Sequence, residues 1–215
     1  MPWFHGTPDV RALRDHGFRL RSEPVRAVRN MEALRAARRH ASEEGISDLE
    51  AFRRMDAISA HFEDIEIPVP VFLAASRATA ASYANDHRAF DYQNAEPAVL
   101  EVEVDGEPDL VIDAGGATFR GLAWARIEAG IHEIGRDPRE VGEILENRLQ
   151  RDITERIRVS DLGRALHLCG YRVVEVRNVV DTHDGKGHPD TVRMVFDPDL
   201  LRLSDPHRVA EGWEP

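Results

Sequence analysis

The chain of 215 residues holds one cysteine, Cys169, which excludes an internal disulfide. Burial and hydrogen bonds must therefore hold the fold, and a reducing compartment suits it. No apolar run approaches the ~20 residues that a membrane-spanning helix needs. The first residues lack a basic stretch followed by an apolar one, so no secretory leader is read there and the expected location is the cytoplasm. Lysine is almost missing: Lys186 stands alone among 28 basic residues. That bias warns against reading each arginine as a site. Positive charge is short overall, and the net charge of −11 argues against a general nucleic-acid coat or an anionic membrane surface as partner. Internal repeats, low-complexity stretches and convincing linkers are absent too.

What is present is the composition of a globular chain, 42% hydrophobic and 31% charged, long enough for one domain with a full core. The charge is uneven. Residues 11–39 carry nine arginines against Asp15, Glu23 and Glu32, whereas residues 40–68 carry eight acids against Arg53 and Arg54. Arginines so grouped can receive phosphates bidentately. The plainer reading is two solvated helix faces that attract one another.

Read in order, Trp3-Phe4-His5-Gly6-Thr7 is a short aromatic strand running into a turn. Asp9 opens a short helix that Gly17 stops. Phe18-Arg19-Leu20 alternates like a brief strand, and residues 29–62 read as helical with a capping box at Ser47–Glu50. Residues 69–74 form a buried strand, and Ser76 caps a helix that carries Tyr83. Residues 98–104 and 110–112 are strands around the Asp105-Gly106 turn. Residues 117–134, 137–151 and 160–170 are helical, the second opened by Asp137-Pro138. Residues 171–180 and 191–196 are the last strands. The order predicts an α+β fold with mostly antiparallel strands.

Three stretches carry more than fold. They are Phe4-His5-Gly6-Thr7 with Gly17-Phe18-Arg19 after it, Val71-Phe72-Leu73-Ala74 with Tyr83 eleven places beyond Phe72, and Gly170-Tyr171 leading to Val195-Phe196-Asp197-Pro198. Together they resemble the ADP-ribosyltransferase fold on its histidine-tyrosine-glutamate branch, the poly- and mono-ADP-ribose polymerase kind. The resemblance is nearest to small bacterial and phage transferase domains and covers residues 3–20, 70–84 and 170–202. It implies a split antiparallel β-sandwich, with residues of about 29–62 and 115–165 as helical insertions.

The resemblance also implies roles. His5 would bond the adenosine ribose of NAD+, the Gly6 backbone would hold the nicotinamide carboxamide, and Phe72 and Tyr83 would sandwich the nicotinamide ring. Thr7 and Arg19 would complete the cofactor-binding set, Arg19 near the pyrophosphate. His5, Phe72 and Tyr83 should then line one slot. The chemistry fits these residue types, because the nicotinamide of NAD+ is a flat cation that aromatic faces attract. The chain departs from the pattern at three positions. Phe72 stands where the family has tyrosine, Ala80 where a serine is frequent, and Val192 where a glutamate would activate the acceptor. Asp190 is the nearest acid to take that catalytic role beside His5 and Tyr83, and Glu175 is another.

The implied activity is transfer of single ADP-ribose units from NAD+ to a protein or nucleic-acid acceptor, in a toxin, an anti-phage effector or a phage-borne modifier. An antitoxin or immunity protein would meet the acidic segment 40–68. The alternative is a degenerate module that binds NAD+, ADP-ribose or a protein without chemistry. The loop 181–190 contains His183, Asp184 and His188, which raises a metal-dependent hydrolase. It lacks EF-hand spacing and the His-x-x-x-His of zinc enzymes, so a polar loop without metal is the expectation.

Overall fold

The structure, a computed structural model, describes residues 2–28, 31–47, 50–51, 62–84, 96–149, 153, 156–157, 159–181 and 187–204. The first half contains β1 (Trp3–Thr7), α1 (Arg11–His16), β2 (Arg21–Val28), α2 (Met31–Glu44), β3 (Phe62–Val69), β4 (Val71–Ala74), α3 (Arg77–Ala84) and β5 (Ala98–Val104). The second contains β6 (Leu110–Asp113), β7 (Leu122–Ala123), α4 (Trp124–Glu133), α5 (Pro138–Glu143), β8 (Arg156–Ile157), α6 (Val159–Leu168), β9 (Val173–Val179), β10 (Asp190–Val195) and β11 (Leu201–Leu203).

Seven strands form one sheet in the order β11-β5-β1-β4-β10-β9-β6. Its neighbours are antiparallel except β9 and β6, which run parallel. A large mixed sheet with several helices accords with the α+β expectation. Strand alternation divides the side chains between two faces. One face gathers Trp3, Leu73, Val102, Val173 and Val195. The other gathers Val174, Val176, Val192 and Met194 with Ile127 and Ile131 of α4 and Leu162 and Leu166 of α6. Phe4 and Ala74 also belong to this second face and meet Ala80 and Ala84 of α3.

Several local signals act as their chemistry requires. The Asp137 carboxylate accepts from the Arg139 N–H at 3.0 Å and opens α5, with Pro138 at its first position. Ser76 Oγ accepts from the Thr79 N–H at 3.2 Å and caps α3. The Ser47 hydroxyl accepts from the Glu50 N–H at 3.2 Å, the first half of the expected capping box. The helix expected over 117–134 begins only at Trp124, after β7, and it contains Gly130. A Cβ there would lie 2.6 Å from the Val111 carbonyl, so α4 approaches β6 as closely as a bare backbone allows.

Two expectations are corrected. Phe18-Arg19-Leu20 is irregular; the strand begins at Arg21 and pairs with β3 for eight residues, from Arg21↔Val69 to Val28↔Phe62. The helical reading of 29–62 holds over α2, but Phe62 already belongs to β3, and 52–61 lie outside the described residues. The period in β3 is two: Ile65, Ile67 and Val69 alternate with Asp64, Glu66 and Pro68. The arginine-rich segment also finds partners beyond residues 40–68. Arg35 pairs with Glu143, and Arg38 with Glu146 at 3.3 Å, which fastens α2 to the end of α5. Exposed pairs of this kind contribute about 0.2–1 kcal/mol each, so burial of Ala37 and Ala41 must also hold α2 in place.

Candidate functional site

β1 pairs with β5 over five residues, but with β4 only at Phe4↔Ala74. β4 continues along β10 over four residues. Beyond Phe4 the two strands therefore part, with His5, Gly6 and Thr7 on one side and Leu73, Phe72 and Val71 on the other. His5 spans this gap, its Nδ1 lying 2.9 Å from the Phe72 carbonyl oxygen. A carbonyl only accepts, so Nδ1 carries the proton and Nε2 keeps a lone pair. Burial lowers the His5 pKa more than the Phe72 hydrogen bond raises it, so the ring is neutral at pH 7. The Phe18 ring stands edge-on to it, with centroids 5.4 Å apart.

His5 faces a cavity of about 440 Å³. Thr7, Gly17, Phe18 and Arg19 line the same cavity. Five residues of the N-terminal motif and its downstream partner thus line one cavity, with the Arg19 side chain exposed to reach an anion. The Thr7 hydroxyl is engaged locally and donates to the Asp9 carbonyl at 3.1 Å.

Phe72 and Tyr83 lie elsewhere. Phe72 leaves the sheet on the face opposite His5, packs beside the main core, and meets the Phe119 ring edge-on at 5.6 Å. Tyr83, on α3, donates its hydroxyl hydrogen to Asp181. Burial first, and then the Asp181 charge, push the Tyr83 pKa far up, so the phenol stays protonated; Arg120 opposes this more weakly. The structure therefore brings His5, Thr7 and Arg19 together, and sets Phe72 and Tyr83 on the other side of the sheet. The expectation that His5, Phe72 and Tyr83 line one slot is therefore corrected: strand alternation sends His5 and Phe72 to opposite faces, and the cavity at His5 includes neither aromatic residue.

Gly6 has a reason of its own to be glycine. A Cβ there would lie 1.8 Å from the Ala80 carbonyl oxygen and 3.1 Å from the Ala84 nitrogen. The backbone of α3 fills that space, so packing alone dictates the residue. Ala80 is 2% exposed and packs in the same cluster, which explains its small size.

The candidate acids divide clearly. Asp190 accepts from the Ser76 N–H at 3.1 Å and the Ser76 hydroxyl at 2.8 Å through Oδ2, and from the Thr191 N–H at 2.8 Å through Oδ1. It fastens the start of β10 to the start of α3. Val192 is 1% exposed, within the core. Glu175 is buried on the Trp3 face, away from Val192, and pairs with Arg193 at 2.8 Å and Arg177 at 2.7 Å. The acid that sequence reasoning passed over is Asp181, 4% exposed at the end of β9. It opens the stretch 181–190, which the sequence presents as a polar loop. Its signal was its place directly after Val179-Val180, where the strand has not yet left the core.

His183 and Asp184 lie outside the described residues, and His188 is exposed. Among the described residues no group of three or more His, Cys, Asp or Glu is arranged to hold a metal ion. No helix among them is long and apolar enough to cross a membrane. Burial pushes the Cys169 thiol up to about 12, which makes it a packing residue rather than a nucleophile. No family model, no curated protein and no solved structure matches the chain.

Proposed function

We propose that the chain is an NAD+-dependent mono-ADP-ribosyltransferase of the histidine-tyrosine-glutamate kind, and that its sheet is the split β-sandwich of that fold. The observation that carries this reading is the parting of β1 from β4, bridged by a neutral imidazole. A dinucleotide places its adenosine half in the His5 cavity, and nicotinamide reaches Phe72 and Tyr83 only when β1 and α3 draw away from β4. The bare Nε2 of His5 accepts a hydrogen bond from a ribose hydroxyl. Arg19 pairs with the pyrophosphate, for which a guanidinium is well shaped. The aromatic side chains receive the cationic nicotinamide. Holding both ends lets binding energy act on the bond between them. When the bond between ribose C1′ and the nicotinamide nitrogen breaks, its electron pair leaves with neutral nicotinamide. A nucleophile of the protein or nucleic-acid acceptor then adds to C1′. A toxin or phage-related effector is the setting this chemistry suits, with an antitoxin or immunity protein as its counterpart at the acidic segment 40–68.

A second reading, a module that binds NAD+ or ADP-ribose without chemistry, is supported by the buried Val192 and by the missing hydroxyl of Phe72. Labelled NAD+ given to the wild type and to His5→Ala separates the two. A transferase releases nicotinamide, and His5→Ala slows this by at least about tenfold through loss of a ligand hydrogen bond. Equal rates in the two proteins sink the transferase reading. NAD+ binding by calorimetry without turnover moves the assignment to the module.

A further inference from the structure

A second cavity, of about 800 Å³, opens where β1 begins, and it shares no lining residue with the His5 cavity. β1 starts at Trp3, opposite Val102, while β5 runs on through Glu103 and Val104. Five carboxylates line the opening, Glu101, Glu103, Asp105, Glu107 and Glu175, against one guanidinium, Arg193. Two of the five are neutralised. Glu175 pairs with Arg193 at 2.8 Å and Arg177 at 2.7 Å, and Asp105 pairs with Arg202 at 2.6 Å. Glu101, Glu103 and Glu107 have no cationic partner among the described residues. Acids alone do not make a site, but Trp3 adds an independent observation. It is only 9% exposed and lines the same cavity, yet its indole N–H has no acceptor among the described residues. A buried indole N–H ordinarily has one. The Arg193 guanidinium lies over the ring, 4.5 Å from its centroid, and so engages the ring face rather than the N–H edge. Trp3, Glu175 and Arg193 belong to one face of the sheet, while Glu101 and Glu103, alternating with Val102, belong to the other. The cavity therefore wraps the start of β1.

We infer that this cavity binds a basic polypeptide segment. Its ligand must bring positive charge to three carboxylates and an acceptor to the indole N–H. A segment with lysine or arginine has both: the side chains meet the glutamates, and a backbone carbonyl accepts from Trp3. A protonated polyamine has the charge but no acceptor. A nucleic acid has acceptors, but its phosphates are repelled by the carboxylates. An extended ligand is needed to reach round the start of β1 from Trp3 to Glu101 and Glu103. The volume lies within the ~300–1,000 Å³ of ordinary ligand cavities, so it takes a short stretch of chain and not a folded domain. Arg193, itself held by Glu175, fixes the indole before the segment arrives, so less side-chain freedom is lost on binding. The site does not depend on the transferase reading.

The test uses the full chain and a fluorescently labelled peptide of alternating lysine and glycine, read by anisotropy. The wild type should bind it, more weakly as salt is raised, and should not bind the same peptide with every lysine acetylated. Glu101→Gln, Glu103→Gln and Glu107→Gln made together should weaken binding by at least about tenfold. A control triple, Glu32→Gln, Glu43→Gln and Glu133→Gln, removes the same charge from exposed positions on α2 and α4 that do not line the cavity. It should change the dissociation constant by less than about twofold. Trp3→Phe keeps a ring beneath Arg193 and removes the N–H, so binding should weaken about threefold or more, as loss of one hydrogen bond does. If Trp3→Phe fails to fold by circular dichroism, the two triples carry the test. Equal weakening in both triples means attraction to net charge and overturns the inference, as does a wild type that ignores the peptide. Spermine that displaces the peptide at equal concentration, with Trp3→Phe binding like the wild type, marks a site for small cations and overturns it too.

Discussion

On one side of the gap between β1 and β4, His5 turns a neutral ring toward an open cavity with Arg19 on its rim. On the other side, α3 fills the space beside Gly6, Phe119 covers an edge of Phe72, and Val192 is sealed in the core. Both sides are built from the same few residues. In Phe4-His5-Gly6-Thr7 the strand period sends His5 and Thr7 to the cavity face and Phe4 and Gly6 to the helix face. A motif that reads as one functional unit is therefore half packing. Residues next to one another in the chain need not share a task, and residue type alone does not separate the tasks. His5 is defined by what it leaves open, Gly6 by what it lets in.

The largest effect should come from Gly6→Ala. Its methyl group would stand 1.8 Å from the Ala80 carbonyl, so α3 must lift from the sheet. Overpacking against rigid backbone places the cost at about 3 kcal/mol or more, read as a lower urea midpoint. A glycine kept only for a ligand would behave differently, with unchanged stability and weaker NAD+ binding. That outcome would erase the division between the faces.

Much of this frame was legible because it rests on local chemistry. The Asp137-Pro138 start of α5, the Ser76 cap of α3 and the alternating β5 each follow from a few adjacent residues. The β2-β3 ribbon was not legible from β2, whose sequence Arg-Ser-Glu-Pro-Val-Arg-Ala-Val is polar and holds a proline; eight partners in β3 override that weak propensity. The site was legible in part for a similar reason. The step from His5 to Arg19 is short, and both line one cavity. Asp181 meets Tyr83 across 98 positions, a separation that no spacing rule reaches. The roles of Gly6 and Asp190 were hidden because packing and ligand binding call for the same residue types.

An intermediate effect should follow from Asp190→Ala. This removes the acceptor of the Ser76 N–H and hydroxyl and loosens the link between β10 and α3. Loss of such hydrogen bonds at a helix start costs about 1–2 kcal/mol. The expected signature is a lower melting temperature, with the residual nicotinamide release of the folded fraction close to wild type. A large kcat loss in Asp190→Ala at unchanged stability would make Asp190 the catalytic carboxylate.

The smallest effect is a dependence on pH, and it addresses the cavity face directly. The His5 pKa is lowered in the fold, chiefly by burial, from an unfolded value of about 6.5. Between the folded and unfolded values the unfolded chain binds more protons, so stability rises with pH there. The contribution of neutral His5 is complete above about 6.5 and is lost as the pH falls toward and through the folded value. Protonation also converts Nε2 from acceptor to donor, so NAD+ affinity should weaken over the same window. His16 lines the cavity too, as do Asp9 and Arg19, so the comparison must be made against His5→Gln, which leaves these three in place. The wild type should lose more stability than His5→Gln between pH 7.5 and 5, by roughly 1 kcal/mol for each unit by which the pKa is lowered. Parallel curves for the two proteins would mean that the imidazole is as well hydrated folded as unfolded, and the cavity face would lose the neutral acceptor on which its reading stands.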